Sequence, residues 1–337
     1  MTQTPATLPA RTQPLRMQLN TFFSGPQAWF FMAEARGYLR EEGLEITFTE
    51  GDTAANTIPK MAAGGFDVGY GDLNALIEHA AAGKPNAPLA VFASYNASPY
   101  TIAVPKAETK SGLIHKPAQL AGKRLVAHPN DAAHNLFPEF CKSTGLDAAQ
   151  VHVDNSPAPH SSLVPRLLAG EWDGMFGFVN TLIAASLDAG LAAPREHLRF
   201  LEYHDHVPDL YGMALMVSPE LAAQEPHTVA ALLRALNRGL KDTIADPQTA
   251  IAALARYKPG MNKQSNLQRL LGTLELEMGR AEGARLGIGD LDDARLARGI
   301  ALIVQTKGFA HCPEASALFD RRFLPPLAER VRSLAVG

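Results

Sequence analysis

In Leu44–Glu50 the apolar residues Leu44, Ile46 and Phe48 alternate with polar ones, the period of a half-buried strand. Other short apolar runs predict strands at Met17–Phe23, Asp67–Tyr70, Leu89–Tyr95 and Thr101–Val104. Between them the spacing lengthens to a helical period over Ala28–Tyr38, Thr53–Ala63 and Leu73–Ala82. The pattern then starts again. Strands are predicted at Arg124–Ala127, Val151–Val153 and Asp173–Phe178, with helices at Ala132–Lys142, Ser161–Ala169 and Thr181–Leu187. Such alternation indicates α/β units with mainly parallel sheets, and its recurrence indicates two sheets in two lobes. After a strand at Met213–Val217, the chain from Pro219 to about Val304 is almost wholly helical in pattern. Pro226 and Pro247 suit first-turn positions, each preceded by an acidic residue. Residues 1–15, polar and rich in Pro and Thr, read as a disordered tail.

Composition narrows the function classes. Hydrophobic residues make up 46% and charged residues 19% of the chain, the profile of a folded, soluble protein. A formal net charge of −3 gives no global basic field to attract nucleic acid or an anionic membrane. No apolar run is long enough for a membrane span. Met1–Gln13 lacks the apolar stretch of an export signal, so the protein is either cytoplasmic or a mature exported form. Cys141 and Cys312 lie far apart and outside any CxxC pair, which argues against a disulfide framework or a zinc site.

In open α/β sheets, ligands bind beyond the carboxyl ends of the strands, near helix N-termini. That rule picks out four segments: Phe22–Gln27, Gly71–Asn74, Asn130–Asn135 and Phe178–Thr181. Each mixes apolar bulk with a few hydrogen-bonding groups, as a small-molecule pocket requires. Any one of them alone also reads as an ordinary helix cap. The candidate ligand-binding residues are Phe23, Ser24, Gln27, Asp72, Asn74, Tyr95, Asn130, His134, Asn135, Phe178, Asn180 and Tyr211. His128 and His160 read as loop residues. His204-Asp205-His206 has the spacing of a metal pair, but no third ligand is evident, and no metal or cofactor is expected. No catalytic motif of the Gly-x-Ser-x-Gly, P-loop or His-Glu-x-x-His kind is present.

Several landmarks occur in a characteristic order: Ala33-Glu34-Ala35-Arg36-Gly37-Tyr38-Leu39, Glu42-Gly43-Leu44-Glu45-Ile46, Gly65-Phe66-Asp67-Val68-Gly69, Leu120-Ala121-Gly122-Lys123-Arg124-Leu125, Gly170-Glu171-Trp172-Asp173-Gly174 and Arg322-Phe323-Leu324-Pro325. With them the chain resembles, over about residues 17–326, the solute-binding proteins of ABC importers for nitrate, sulfonate, taurine and thiamine-pyrimidine precursors. The pyrimidine synthases of thiamine biosynthesis share that fold. The resemblance implies a periplasmic-binding-protein type II fold with two α/β lobes joined by a two-strand hinge. Residues 16–103 and 214–337 would form the first lobe and 104–213 the second, with crossings near Thr101–Val104 and Tyr211–Leu215. The helical tail would pack on the first lobe. It further implies a monomer outside the cytoplasm that delivers a small aromatic or anionic solute to an ABC permease and is not an enzyme.

The departures bear on the ligand. Pyrimidine binders and synthases have a segment resembling Pro-Asn-His-Ala, whose histidine the synthases consume as a reactant. Here Gly25-Pro26-Gln27-Ala28 puts Gln27 in its place. Leu182 stands where pyrimidine binders carry a glutamate, and the synthases' cysteine-rich stretch is not found. The serine-rich sulfonate segment is matched by Ala132-Ala133-His134-Asn135-Leu136-Phe137, with alanines for serines. The alternative readings are a synthase-like enzyme, possible with pyridoxal phosphate and needing a cleft lysine or histidine, and a sensor domain.

Overall fold

A computed structural model describes residues 12–108 and 112–334. Ten strands form two five-stranded sheets. The first contains β1 (Gln13–Gln18), β2 (Leu44–Thr49), β3 (Val68–Asp72), β4 (Leu89–Ala93) and, late in the chain, β10 (Met213–Val217), in the order β2-β1-β3-β10-β4. The second contains β5 (Tyr100–Pro105), β6 (Arg124–Ala127), β7 (His152–Asn155), β8 (Gly174–Phe178) and β9 (Leu198–Glu202), in the order β7-β6-β8-β5-β9. The two orders are equivalent. In each sheet three strands run parallel, and one antiparallel strand separates them from the edge strand.

This topology moves the crossings. β5 pairs along its length with β8 and β9, so the first crossing lies at residues 94–99 and not at Thr101–Val104. β10 pairs with β3 and β4 from its first residue, so the return occupies residues 203–212, ahead of the expected end at Leu215. The two crossings touch at Gly212. A Cβ there would lie 2.9 Å from both Pro99 Cδ and Tyr95 Cβ, so only glycine fits without a shift. Arg295 clasps the pair, its guanidinium donating to the carbonyls of Asn96, Pro208 and Leu210.

The expected tail is only partly within the described residues. Residues 1–11 lie outside them, and Gln13–Leu15 open β1 because they pair with Leu44–Ile46 of β2. The strand expected at Met17–Phe23 therefore starts and ends earlier. β9, unforeseen in the sequence, is a second-sheet edge strand with irregular burial.

The helical half begins at Pro219. Pro226 and Pro247 occupy first turns, where a missing N–H costs nothing. Helix Pro226–Ala245 packs its apolar face on Ala28–Ala35, beside the first sheet. Two tail helices also reach the second lobe. Lys263–Gly272 packs on Val179–Asp188, and Asp293–Lys307 lies against both Leu73–Ala81 and Phe137–Thr144. Among the described residues no helix is long and apolar enough to cross a membrane. Cys141 is buried, Cys312 is exposed, and both are free thiols.

Candidate functional site

A cavity of about 360 Å³ lies between the lobes. The first lobe contributes Asn20–Phe22 after β1 and Asp52–Ala54 after β2. The second contributes His128–Ala132 after β6, Pro159–Ser161 after β7, and Gly177, Phe178 and the helix that follows β8. Arg269 reaches in from the tail. The carboxyl ends of five parallel strands thus converge, as the strand-end rule requires.

Two of the expected ligand residues line this cavity. Asn130 is exposed at its rim with a φ of 58°, a left-handed conformation that Asn tolerates better than most residues. Phe178 is partly buried and meets Tyr100 edge-on.

The others lie outside the lining. Asp72 is a buried helix cap whose Oδ1 accepts from Asn74 N (2.9 Å), Asn74 Nδ2 (2.9 Å) and Tyr100 OH (2.7 Å). Asn74 Nδ2 also donates to Tyr211 O at 2.8 Å. Tyr211 OH donates to Glu282 at 2.6 Å and accepts from Asp292 N at 2.9 Å. Burial pushes the Asp72 carboxyl up to about 6, although these donors oppose the shift. Tyr95 is buried beside Glu277. These four residues serve the hinge.

Ser24 and Gln27 are buried in the turn after β1, where Gln27 Oε1 accepts from Ser24 N and Nε2 donates to Asn20 Oδ1. Phe23 packs edge-on against Phe31 and Tyr257. His134 lies against Phe176, and the carbonyl of Asn135 accepts from Lys307 Nζ at 2.8 Å. Asn180 is an inter-lobe contact: its Nδ2 donates to the Arg269 carbonyl and, at 2.9 Å, to Thr273 Oγ1. Gly272 leaves room for it, since a Cβ there would press on the Asn180 amide and displace it.

Three cleft residues were not expected from the sequence. His128 and His160 meet with ring centroids 4.2 Å apart and planes tilted by 59°, and the partly buried Arg269 lines the same cavity. His128 Nε2, His160 Nε2 and Arg269 Nε have no hydrogen-bond partner among the described residues. Burial, reinforced by His128 and Arg269, holds His160 down at about 3. The same desolvation lowers His128. Asp131, also in the lining, is pushed up to about 6 by burial while it accepts from Ala133 N and His134 N. Phe22, 52% exposed, faces the cavity with Arg269 5.7 Å from its ring. No lysine is among the lining residues, and the described residues hold no cluster of three metal-ligating side chains. His204 instead meets Arg280, at 2.9 Å.

Comparisons with known proteins bear on fold and family. The alkanesulfonate-binding protein SsuA from Xanthomonas axonopodis pv. citri, bound to MOPS, is 18% identical, with a TM-score of 0.64 over 92% of this chain and 98% of that one. The fold is that of a periplasmic binding protein. Two curated relatives are named as 4-amino-5-hydroxymethyl-2-methylpyrimidine phosphate synthase. The Schizosaccharomyces pombe protein is 23% identical over 69% of this chain and 66% of its own length. The Aspergillus parasiticus protein is 22% identical over 70% of this chain and 68% of its own. The match thus spans just under two thirds of the first relative. The expectation that the chain is not an enzyme is corrected by these relatives, since both carry an enzyme's name. A family model described as NMT1/THI5 like matches residues 27–250, and the chain belongs to that family.

Proposed function

We propose that the chain binds a small organic solute in the inter-lobe cleft and presents it to an ABC-type permease outside the cytoplasm. The observation that carries the reading is the cavity, lined from both lobes at the carboxyl ends of both sets of parallel strands. Its volume of about 360 Å³ suits a ligand of modest size. Its lining mixes Phe22, Phe178, Ala184 and Ala185 with a few polar groups. Two thin crossings joined at Gly212 give the lobes a natural hinge.

The test is a thermal-shift screen of sulfonates, aromatic carboxylates and pyrimidines. A ligand at 100 times its Kd adds about 2.7 kcal/mol to the folded state. Ala185→Trp, which fills the cavity, is expected to abolish any shift. The reading fails if no compound stabilises the wild type, or if Ala185→Trp leaves the shift intact.

A synthase-like reading, set in the cytoplasm, is favoured by the names of the curated relatives. Gln27 offers no imidazole, but His128 and His160 bring two into the cleft from the other lobe. Intact-mass measurement after incubation with pyridoxal phosphate separates the readings. A mass loss traced to one histidine favours the synthase, and an unchanged mass favours the binding protein.

A further inference from the structure

We infer that Arg269, His128 and His160 form an anion subsite in the cleft, taking a carboxylate, sulfonate or phosphate group on an otherwise apolar solute. The inference rests on the cleft being the binding site and goes further by naming the ligand's charged group and the residues that hold it.

Three buried nitrogens at this wall lack partners among the described residues: Nε2 of each histidine and Nε of Arg269. Buried polar groups are almost always hydrogen-bonded, so three unpaired ones in a single cavity call for a ligand that pairs them. His160 and Arg269 are partly buried residues, and it is these nitrogens themselves that are shut off from water. The side-chain charges acting on His160 come from His128 and Arg269, and both are basic. Like charges in a desolvated place repel, and an anion among them turns that repulsion into attraction.

The nearby carboxylates are already engaged. Glu277, buried and the foremost carboxylate acting on Arg269, is hydrogen-bonded by Thr273 and Tyr95. Asp131 caps its own helix through the N–H groups of Ala133 and His134. Asp188, which acts on Arg269, receives the Ser265 hydroxyl at 3.2 Å. Asp52 receives Lys60 Nζ at 3.1 Å and Asn56 Nδ2 at 3.1 Å. None of these carboxylates bonds Arg269 Nε or either free imidazole nitrogen. The guanidinium carries the standing charge, and the histidines become donors by taking up a proton as the anion arrives.

The subsite is also composite. His128 and His160 follow strands of the second sheet, whereas Arg269 stands on Lys263–Gly272, a tail helix that packs on both Gly25–Gln27 of the first lobe and Val179–Asp188 of the second. An anion held by all three ties the lobes together. Phe22 and Phe178 offer faces for the apolar part of the ligand.

The test uses the full chain in a buffer without sulfonate, carboxylate or phosphate. Benzenesulfonate, benzoate and phenyl phosphate are compared by calorimetry and thermal shift with the neutral benzenesulfonamide and benzamide. At least one anion is expected to bind ten or more times tighter than its neutral counterpart. Its affinity should rise as pH is lowered from 7.5 to 5.5, with net proton uptake. Arg269→Met and His160→Phe should each cut anion affinity tenfold or more and narrow the gap between each anion and its neutral counterpart. If one variant fails to fold, the other and the wild-type pairs still decide.

Neutral compounds binding as tightly as the anions would overturn the subsite and leave the cleft reading standing. The same holds if both variants keep full preference for the anion. No anion-specific binding by any probe overturns the subsite, and the wider solute screen then judges the cleft on its own.

Discussion

The hinge and the cleft wall use similar residue types, yet they differ in one respect. At the hinge, Asp72, Asn74, Tyr100 and Tyr211 are buried and bonded to one another or to neighbours in the chain. At the cleft wall, His128, His160 and Arg269 are partly buried, yet each keeps a buried nitrogen that nothing among the described residues satisfies. A buried polar group costs little when paired and a good deal when it is not. The first set therefore holds the fold together, and the second is arranged for something that arrives from outside.

The largest test of this contrast is Asp72→Ala. The substitution removes the helix cap from Asn74 N and leaves the buried Tyr100 hydroxyl proton without its acceptor, while Asn74 Nδ2 keeps Tyr211 O and Tyr100 OH. A lost cap costs about 1 kcal/mol, and each buried group left unpaired about 1–3 kcal/mol. The expected loss is about 2–4 kcal/mol in chemical denaturation. A loss below about 1 kcal/mol would show that the hinge network contributes little to stability.

Glu139 sharpens the comparison because it is unpartnered for another reason. It is fully buried on Phe137–Thr144, and neither carboxylate oxygen has a partner. It does not line the cleft. Burial pushes it up to about 7, with Lys307 opposing, so the fold accommodates it by keeping the proton. The unfolded chain releases that proton near the ordinary glutamate value, so stability falls as pH rises from about 4.5 to 7. Glu139→Gln is expected to add about 1–2 kcal/mol at pH 8 and close to nothing at pH 4.5, measured by guanidinium denaturation at both. A pH-independent effect would mean that the carboxylate is stabilised by a route other than protonation.

Much of this architecture is legible in the sequence because strands and helices differ in period. Arg124–Ala127 and Met213–Val217 read at their true ends. β9 escapes because Leu198, Arg199, Phe200, Leu201 and Glu202 do not alternate cleanly on an edge. The strand expected at Met17–Phe23 runs too late because Phe22 extends the apolar run, although its ring faces the cavity. The site is harder to read. The strand-end rule covers His128 just past β6 and His160 beyond β7, but sequence does not show that they are desolvated. Asp72 and Asn74 follow the same rule, while their partners Tyr100 and Tyr211 lie far along the chain. Arg269 belongs to an amphipathic helix distant in sequence from every other cleft segment, and no local pattern marks it.

The smallest expected effect is the most pointed. Arg269→Met removes a partly buried guanidinium that is near Phe22 and whose Nε has no partner among the described residues. If saturation separates structure from function, the ligand-free protein should not need this charge. Loss of a partly buried cation with an unpartnered Nε and gain of an apolar side chain of similar reach favour the fold, while loss of the attraction to Glu277, Asp188 and Phe22 opposes it. The net change at pH 7.5 is expected within about 1 kcal/mol, on the stabilising side. His160 adds a check on sign. Its folded pKa of about 3 lies below the ordinary histidine value, so the unfolded chain binds the extra proton and stability is lost as pH falls below about 6.5. Taking away the neighbouring Arg269 charge relaxes that depression, so the variant should lose less stability than wild type between pH 6.5 and 4. A loss of several kcal/mol at neutral pH would instead class Arg269 with Asp72, as a residue the fold itself requires.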